Sequence, residues 1–161
     1  MNPSYFRIKL ARDEAMERLC DWHGGAVREE IEVESTKAVS VAVDENGLWK
    51  GACLYVHENA GWTVFEDLSG HHCFVDAEAW KAFAGDDSLV VAGYDEALLC
   101  AELVVIEDGT VVKNFAEFDD APEENVNQGT GFDEIRSWVD VASFVDDDDL
   151  VYSGDGAVII F

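Results

Sequence analysis

Histidine is the side chain best suited to exchanging a proton near neutral pH, and this chain has four, two of them adjacent. His71, His72 and Cys73 follow closely on Glu66 and Asp67. Carboxylates beside imidazoles are what a general acid–base pair or a metal centre needs. The catalytic reading of this segment is a small hydrolase using Glu66, Asp67 and His71. Two features favour a structural role instead. In an extended segment successive side chains point to opposite faces, so His71 and His72 diverge. No HxxxH or HExxH spacing occurs anywhere in the chain. There is also no GxGxxG, no phosphate-binding loop and no GxSxG, and no Cys/His pair has a context for nucleophilic catalysis.

Two acidic clusters offer binding rather than catalysis. Asp119, Asp120, Glu123 and Glu124 fall in a long loop, and Asp146, Asp147, Asp148 and Asp149 follow a helical segment. A calcium loop requires alternating oxygen ligands, a Gly at the sixth position and a Glu at the twelfth, and neither cluster has that pattern. A helix C-terminus carries negative partial charge, so four Asp there work against the dipole unless a cationic partner meets them. A solvated loop is the plain alternative for each cluster. Both are read here as contacts for a basic protein surface, with an acidic Ca²⁺-binding or scaffolding module as a further alternative.

The whole composition supports this. Thirty-five acids oppose ten Lys and Arg, for a formal net charge of -25. Residues 1–81 carry 15 acids and 8 bases, net -7, and residues 82–161 carry 20 acids and 2 bases, net -18. Such a surface repels phosphate backbones and anionic lipid, so neither nucleic acid nor membrane is an expected partner. It attracts a cationic protein and speeds the encounter. Cys20, Cys53, Cys73 and Cys100 lie far apart, which disfavours a metal site, so no metal or cofactor is expected. Met1–Leu10 has no apolar core of the kind a signal peptide needs, and no apolar run reaches transmembrane length. Reduced thiols and no export signal together point to the cytoplasm.

The elements that must position these residues follow from periodicity. A length of 161 residues and 48% apolar content fit one domain with a core of its own. Strands are expected over Tyr5–Leu10, Ala38–Val43, Gly51–His57, Trp62–Glu66 and Ser88–Tyr94, and over Ala97–Ile106 and Thr110–Phe118. The last pair flanks Asp108-Gly109, a strong hairpin signal. A final strand is expected at Ala157–Phe161. The three short strands from Ala38 to Glu66 read as a meander. Helices are expected over Arg12–His23, Asp76–Ala84 and Phe132–Val145. Asp76 serves as N-cap of the second, with Val75 and Trp80 placed as a hydrophobic staple. Thr130 is the candidate cap of the third, and Asp119–Gly131 is a loop. The expectation drawn from these candidates is a single α+β domain, with a mostly antiparallel or mixed sheet of six or seven strands and about three helices packed on it. The order is not a regular βαβ alternation, which disfavours a Rossmann-like sheet.

Several segments, taken in order, carry a resemblance. They are Gly61-Trp62-Thr63-Val64-Phe65-Glu66-Asp67-Leu68-Ser69-Gly70, then Ala101 to Gly109 followed by Val112-Lys113-Asn114-Phe115, then Pro122 to Gly129, and finally Trp138 to Asp146. Over residues 60–161 the chain resembles bacterial immunity proteins of polymorphic toxin systems, contact-dependent or type VI. The resemblance implies a cytoplasmic inhibitor, not an enzyme, that binds and neutralises a cognate toxin by direct contact. It carries no catalytic residues across. Tight binding would still require an apolar or aromatic anchor, because rim charge sets the encounter rate more than the affinity.

Overall fold

Apolar residues recurring at every second position dominate the chain, and most such runs become strands that bury one or both faces. The computed structural model describes residues 4–148 and 155–161. The elements are β1 (Ser4–Ile8), α1 (Arg12–His23), β2 (Glu29–Glu34), α2 (Ala38–Ala42), β3 (Cys53–Asn59), β4 (Trp62–Asp67), α3 (Ala77–Ala84), β5 (Leu89–Asp95), β6 (Cys100–Glu107), β7 (Thr110–Phe118), β8 (Val126–Gly129), α4 (Trp138–Asp146) and β9 (Asp155–Ile160). The strands form one sheet in the order β2-β9-β3-β4-β1-β5-β6-β7-β8. Every pairing in it is antiparallel.

Helices cover both faces. On one face Phe6, Leu54, Phe65, Val91 and Val104 pack with Leu19 of α1 and Trp80 and Phe83 of α3. On the other, Tyr5, Val64, Ala92, Leu103 and Phe115 pack with Val141 and Val145 of α4. Tyr55 and Val158 pack there with Ala38 and Ala42 of α2. Full burial of each large side chain contributes about 1.5–3 kcal/mol, so the two aromatic-rich layers supply most of the driving force.

The α+β class stands, with the count corrected: nine strands and four α-helices are present among the described residues, instead of six or seven strands and about three helices. The two additional strands are the sheet edges. β2 reads Glu29-Glu30-Ile31-Glu32-Val33-Glu34, and only Ile31 and Val33 mark its period among four glutamates. β8 lies inside the segment expected to be loop, after a short 3₁₀ turn at Pro122–Glu124. An edge strand is paired on one side only, so its composition need not look like a strand interior.

Ala38–Val43 is not a strand. It folds as α2, so the meander shrinks to the β3–β4 hairpin. Ala38 and Ala42, four apart, are both buried, while Val39 stays 54% exposed. Alanine favours the helix, and its small Cβ lets a short helix sit close on the sheet. The third helix begins later than expected. Phe132 takes φ +54, which no helix allows, and α4 starts at Trp138. The Asp140 carboxylate accepts hydrogen bonds from the N–H and Oγ–H of Ser137, so Ser137, not Thr130, closes the helix start.

Candidate functional site

Alternation along β6 puts Glu102, Val104 and Ile106 on the same face, toward α3. Val104 and Ile106 join the core there. Glu102 sits at the same depth and is only 2% exposed. It forms the floor of a pocket of about 160 Å³ walled by Phe74, Asn114, Ala116, Phe118 and Val126. One carboxyl oxygen, Oε2, accepts the Phe74 N–H at 2.9 Å. The other, Oε1, is buried with no hydrogen-bond partner among the described residues. Leaving such a buried polar atom unmet costs about 1–3 kcal/mol. Burial pushes the Glu102 carboxyl from its ordinary 4.5 up to about 8, and the negative charge of Asp67 adds to this, while the Phe74 amide opposes it. At neutral pH the carboxyl is therefore protonated.

Aromatic residues line the pocket, and an acidic loop joins two of its lining residues. Phe74 holds φ +55, a left-handed conformation that costs a bulky residue about 1 kcal/mol or more. The strained residue donates its amide to Glu102 and packs its ring against Phe118, with centroids 4.4 Å apart and the planes tilted by 43°. The Phe118 N–H donates to Asn125 Oδ1 at 2.7 Å, which ties down the loop beyond β7. That loop runs from Phe118 to Val126, both pocket residues, and carries exposed Asp119, Asp120, Glu123 and Glu124. Asp76, exposed and also lining the pocket, caps α3 by accepting the Glu78 N–H at 2.8 Å.

The second acidic run lies elsewhere. Asp146 and Asp147 are exposed at the end of α4, on the opposite face of the sheet. Asp148 turns inward. Its side chain is 8% exposed, forms an ion pair with Arg7 at 3.2 Å and accepts the Tyr5 hydroxyl. Burial and the Asp148 charge drive the Tyr5 phenol far above its ordinary value, so it stays a donor. Arg7 in turn lies over the Trp62 ring, 4.7 Å from its centroid. Asp148 therefore fastens α4 to β1, and within the described part of the run Asp146 and Asp147 are the members turned to solvent. Asp149 lies outside the described residues.

Glu66, Asp67 and His71 do not converge. Consecutive residues of β4 face opposite sides, so Glu66 meets buried His57 on the α2–α4 face, at 3.4 Å and without hydrogen-bond alignment. Asp67 faces the α1–α3 side, where its carboxylate accepts the amides of Gly70 at 2.8 Å and His72 at 2.7 Å. Burial works to raise the Asp67 carboxyl, but the His72 ring 3.6 Å away and those two amides outweigh it and hold it below the ordinary value. His71 is exposed, with Nδ1 at 2.9 Å from Ser69 Oγ. Cys73 contacts Ser4 Oγ at 3.6 Å, and burial raises its thiol, which keeps it from acting as a thiolate. Among the described residues no group of three or more His, Cys, Asp or Glu side chains is placed to hold a metal ion. No helix there is long and apolar enough to cross a membrane.

Glu102 escapes notice in the sequence because it is one acid in the apolar run Ala101 to Ile106. A signal was there: an ionisable residue on the apolar period of a strand that pairs on both sides. Comparison with protein-family models, with curated proteins and with solved structures gives no significant match to this chain.

Proposed function

We propose that this chain is an immunity-type protein that binds a cognate basic toxin and neutralises it by direct contact. One observation carries the reading. Four exposed acids, Asp119, Asp120, Glu123 and Glu124, lie on the loop that joins Phe118 to Val126, two residues that line an aromatic-walled pocket, on a molecule of net charge -25. Rim charge steers a cationic partner, and a desolvated pocket gives the contact a centre that holds it. The resemblance of residues 60–161 to immunity proteins supports the same reading. The hydrolase alternative is left without converging groups, since Glu66 and Asp67 face opposite sides and His71 points to solvent.

The test is binding to, and inhibition of, the purified product of the neighbouring gene at low and high salt. Capture that weakens with salt without vanishing is the expected result. Replacing Asp119, Asp120, Glu123 and Glu124 together with Lys is expected to slow association by about tenfold or more with less effect on dissociation. Failure to bind even at low salt would remove the proposal.

A further inference from the structure

We infer that Leu98 and Leu99, at the tip of the β5–β6 hairpin, are the apolar anchor of the interface, inserted into a nonpolar recess on the cationic partner. The inference deepens the proposed function and rests on it for the existence of that partner.

Strand register places the tip. Asp95 pairs with Cys100, so Glu96, Ala97, Leu98 and Leu99 form the turn that closes one end of the hairpin. Cys100 pairs in turn with Phe118. Leu99 and Asp119, the residues just beyond that pair, therefore leave the sheet at the same end. Burial, and after it the charges of Asp95 and Asp120, raise the Cys100 thiol, so both carboxylates act at the base of the tip. From the other strand the Tyr94 hydroxyl donates to Asp146 Oδ1 at 3.4 Å, which brings the end of α4 to the same place. The two acidic clusters, far apart in sequence, thus flank one apolar turn.

The turn is built against its own stability. Leu98 is 66% exposed and Leu99 is 37% exposed. Leu99 also holds φ +48, the left-handed conformation that Gly or Asn adopts at lower cost. Outliers of this kind cluster where proteins contact ligands. The turn is nonetheless fixed, because Asp95 Oδ1 accepts the N–H of Ala97 at 2.9 Å and of Leu98 at 3.0 Å. A fixed turn loses little freedom when it binds. Charge then selects the occupant. An acidic surface, a second copy of this chain included, is repelled by the acids on either side of the tip. A nonpolar recess with a cationic rim matches both the leucines and the acids, which is the usual division between the centre and the edge of an interface.

The experiment measures association and dissociation rates with the purified product of the neighbouring gene as the probe. The double variant Leu98→Ser, Leu99→Asn removes both apolar side chains and gives position 99 a residue that accepts its backbone. Its dissociation is expected to be faster by about tenfold or more, with association changed by less than about twofold, because no charge is altered. Its Tm is expected to match or exceed that of the wild type. Leu48→Ser, at a leucine equally exposed (65%) between α2 and β3, is expected to change neither rate. Unchanged dissociation in the double variant would overturn the inference. So would an equal effect of Leu48→Ser, or a Tm lowered by several degrees, which would mark the tip as a structural element. Light scattering of the wild type alone is expected to show no self-association; association that the double variant abolishes would assign the tip to a second copy instead. If the wild type does not bind the probe, the proposed function falls and the anchor with it. If the wild type binds and the double variant binds as well, the anchor alone is removed.

Discussion

At the scale of single residues, Glu102 is the group whose state the fold changes most usefully. A buried carboxyl with a raised pKa keeps its proton in the folded protein over a range where the unfolded chain has lost it. Between the ordinary 4.5 and about 8 the folded state binds more protons, so this group's contribution to stability is full below that window. It is lost as pH rises through the window and is constant above it. Glu102→Gln removes the dependence. Urea unfolding of both proteins at about pH 5 and about pH 8 is expected to show the variant gaining on the wild type by a few kcal/mol, at ~1.4 kcal/mol per unit of pKa difference. A difference that does not change with pH would mean that Glu102 is ionised in the fold. Asp67 behaves in the opposite sense, because its pKa is held low, and its contribution fades in acid. Comparing the two proteins at each pH cancels that background.

Turns and caps decide the elements, and several were legible in short sequence patterns. Asp108-Gly109 takes positive φ at both residues, +46 and +74, and joins β6 to β7 with Glu107 opposite Thr110. This is the backbone that matches strand twist in a two-residue hairpin. Ala60-Gly61 does the same between β3 and β4, at φ +50 and +81, with Asn59 opposite Trp62. Alanine pays a steric penalty there that asparagine largely avoids. Ala60→Asn is expected to stabilise the protein by about 0.5–1 kcal/mol, raising Tm by about 1–4 °C in a calorimetric scan. No gain would show that the turn relaxes around Ala60. The Asp76 cap and the arrest of α3 at Gly85 were readable from residue types alone. The start of α4 was not, because Ile135 and Trp138 fall at helical spacing although a left-handed Phe132 and the Ser137–Asp140 pair set the boundary.

For the whole molecule, charge is the governing quantity. A net charge of -25 on 161 residues opposes compaction, and helices on both faces of the sheet leave most of the acids to the loops, the helix ends and the glutamate-rich edge strand β2. The Debye length falls from about 14 Å to about 4 Å between ~0.05 M and ~0.5 M salt. The melting temperature is expected to rise by several degrees over that range of sodium chloride, followed by circular dichroism. A flat response would mean that the acids are already offset by close cations such as Arg12, which reaches Glu30 and Glu32. The four glutamates of β2 also resist edge-to-edge pairing with another copy of the chain, since like charges would face each other.

Composition and periodicity alone determined the α+β class, the antiparallel hairpins, the buried Cys53 and Cys100, and the excess of acid, because each follows from local pattern or simple counting. The strand order, the two edge strands, α2 in place of a strand, and the separation of Glu66 from Asp67 belong to the tertiary structure. So does the pocket, which brings Phe74, Glu102, Phe118 and Val126 together from four separate stretches of chain. The physical reason is that a buried carboxyl, its unpaired oxygen and its raised pKa are properties of an environment. That environment forms only when strands distant in sequence pair and a helix closes over them.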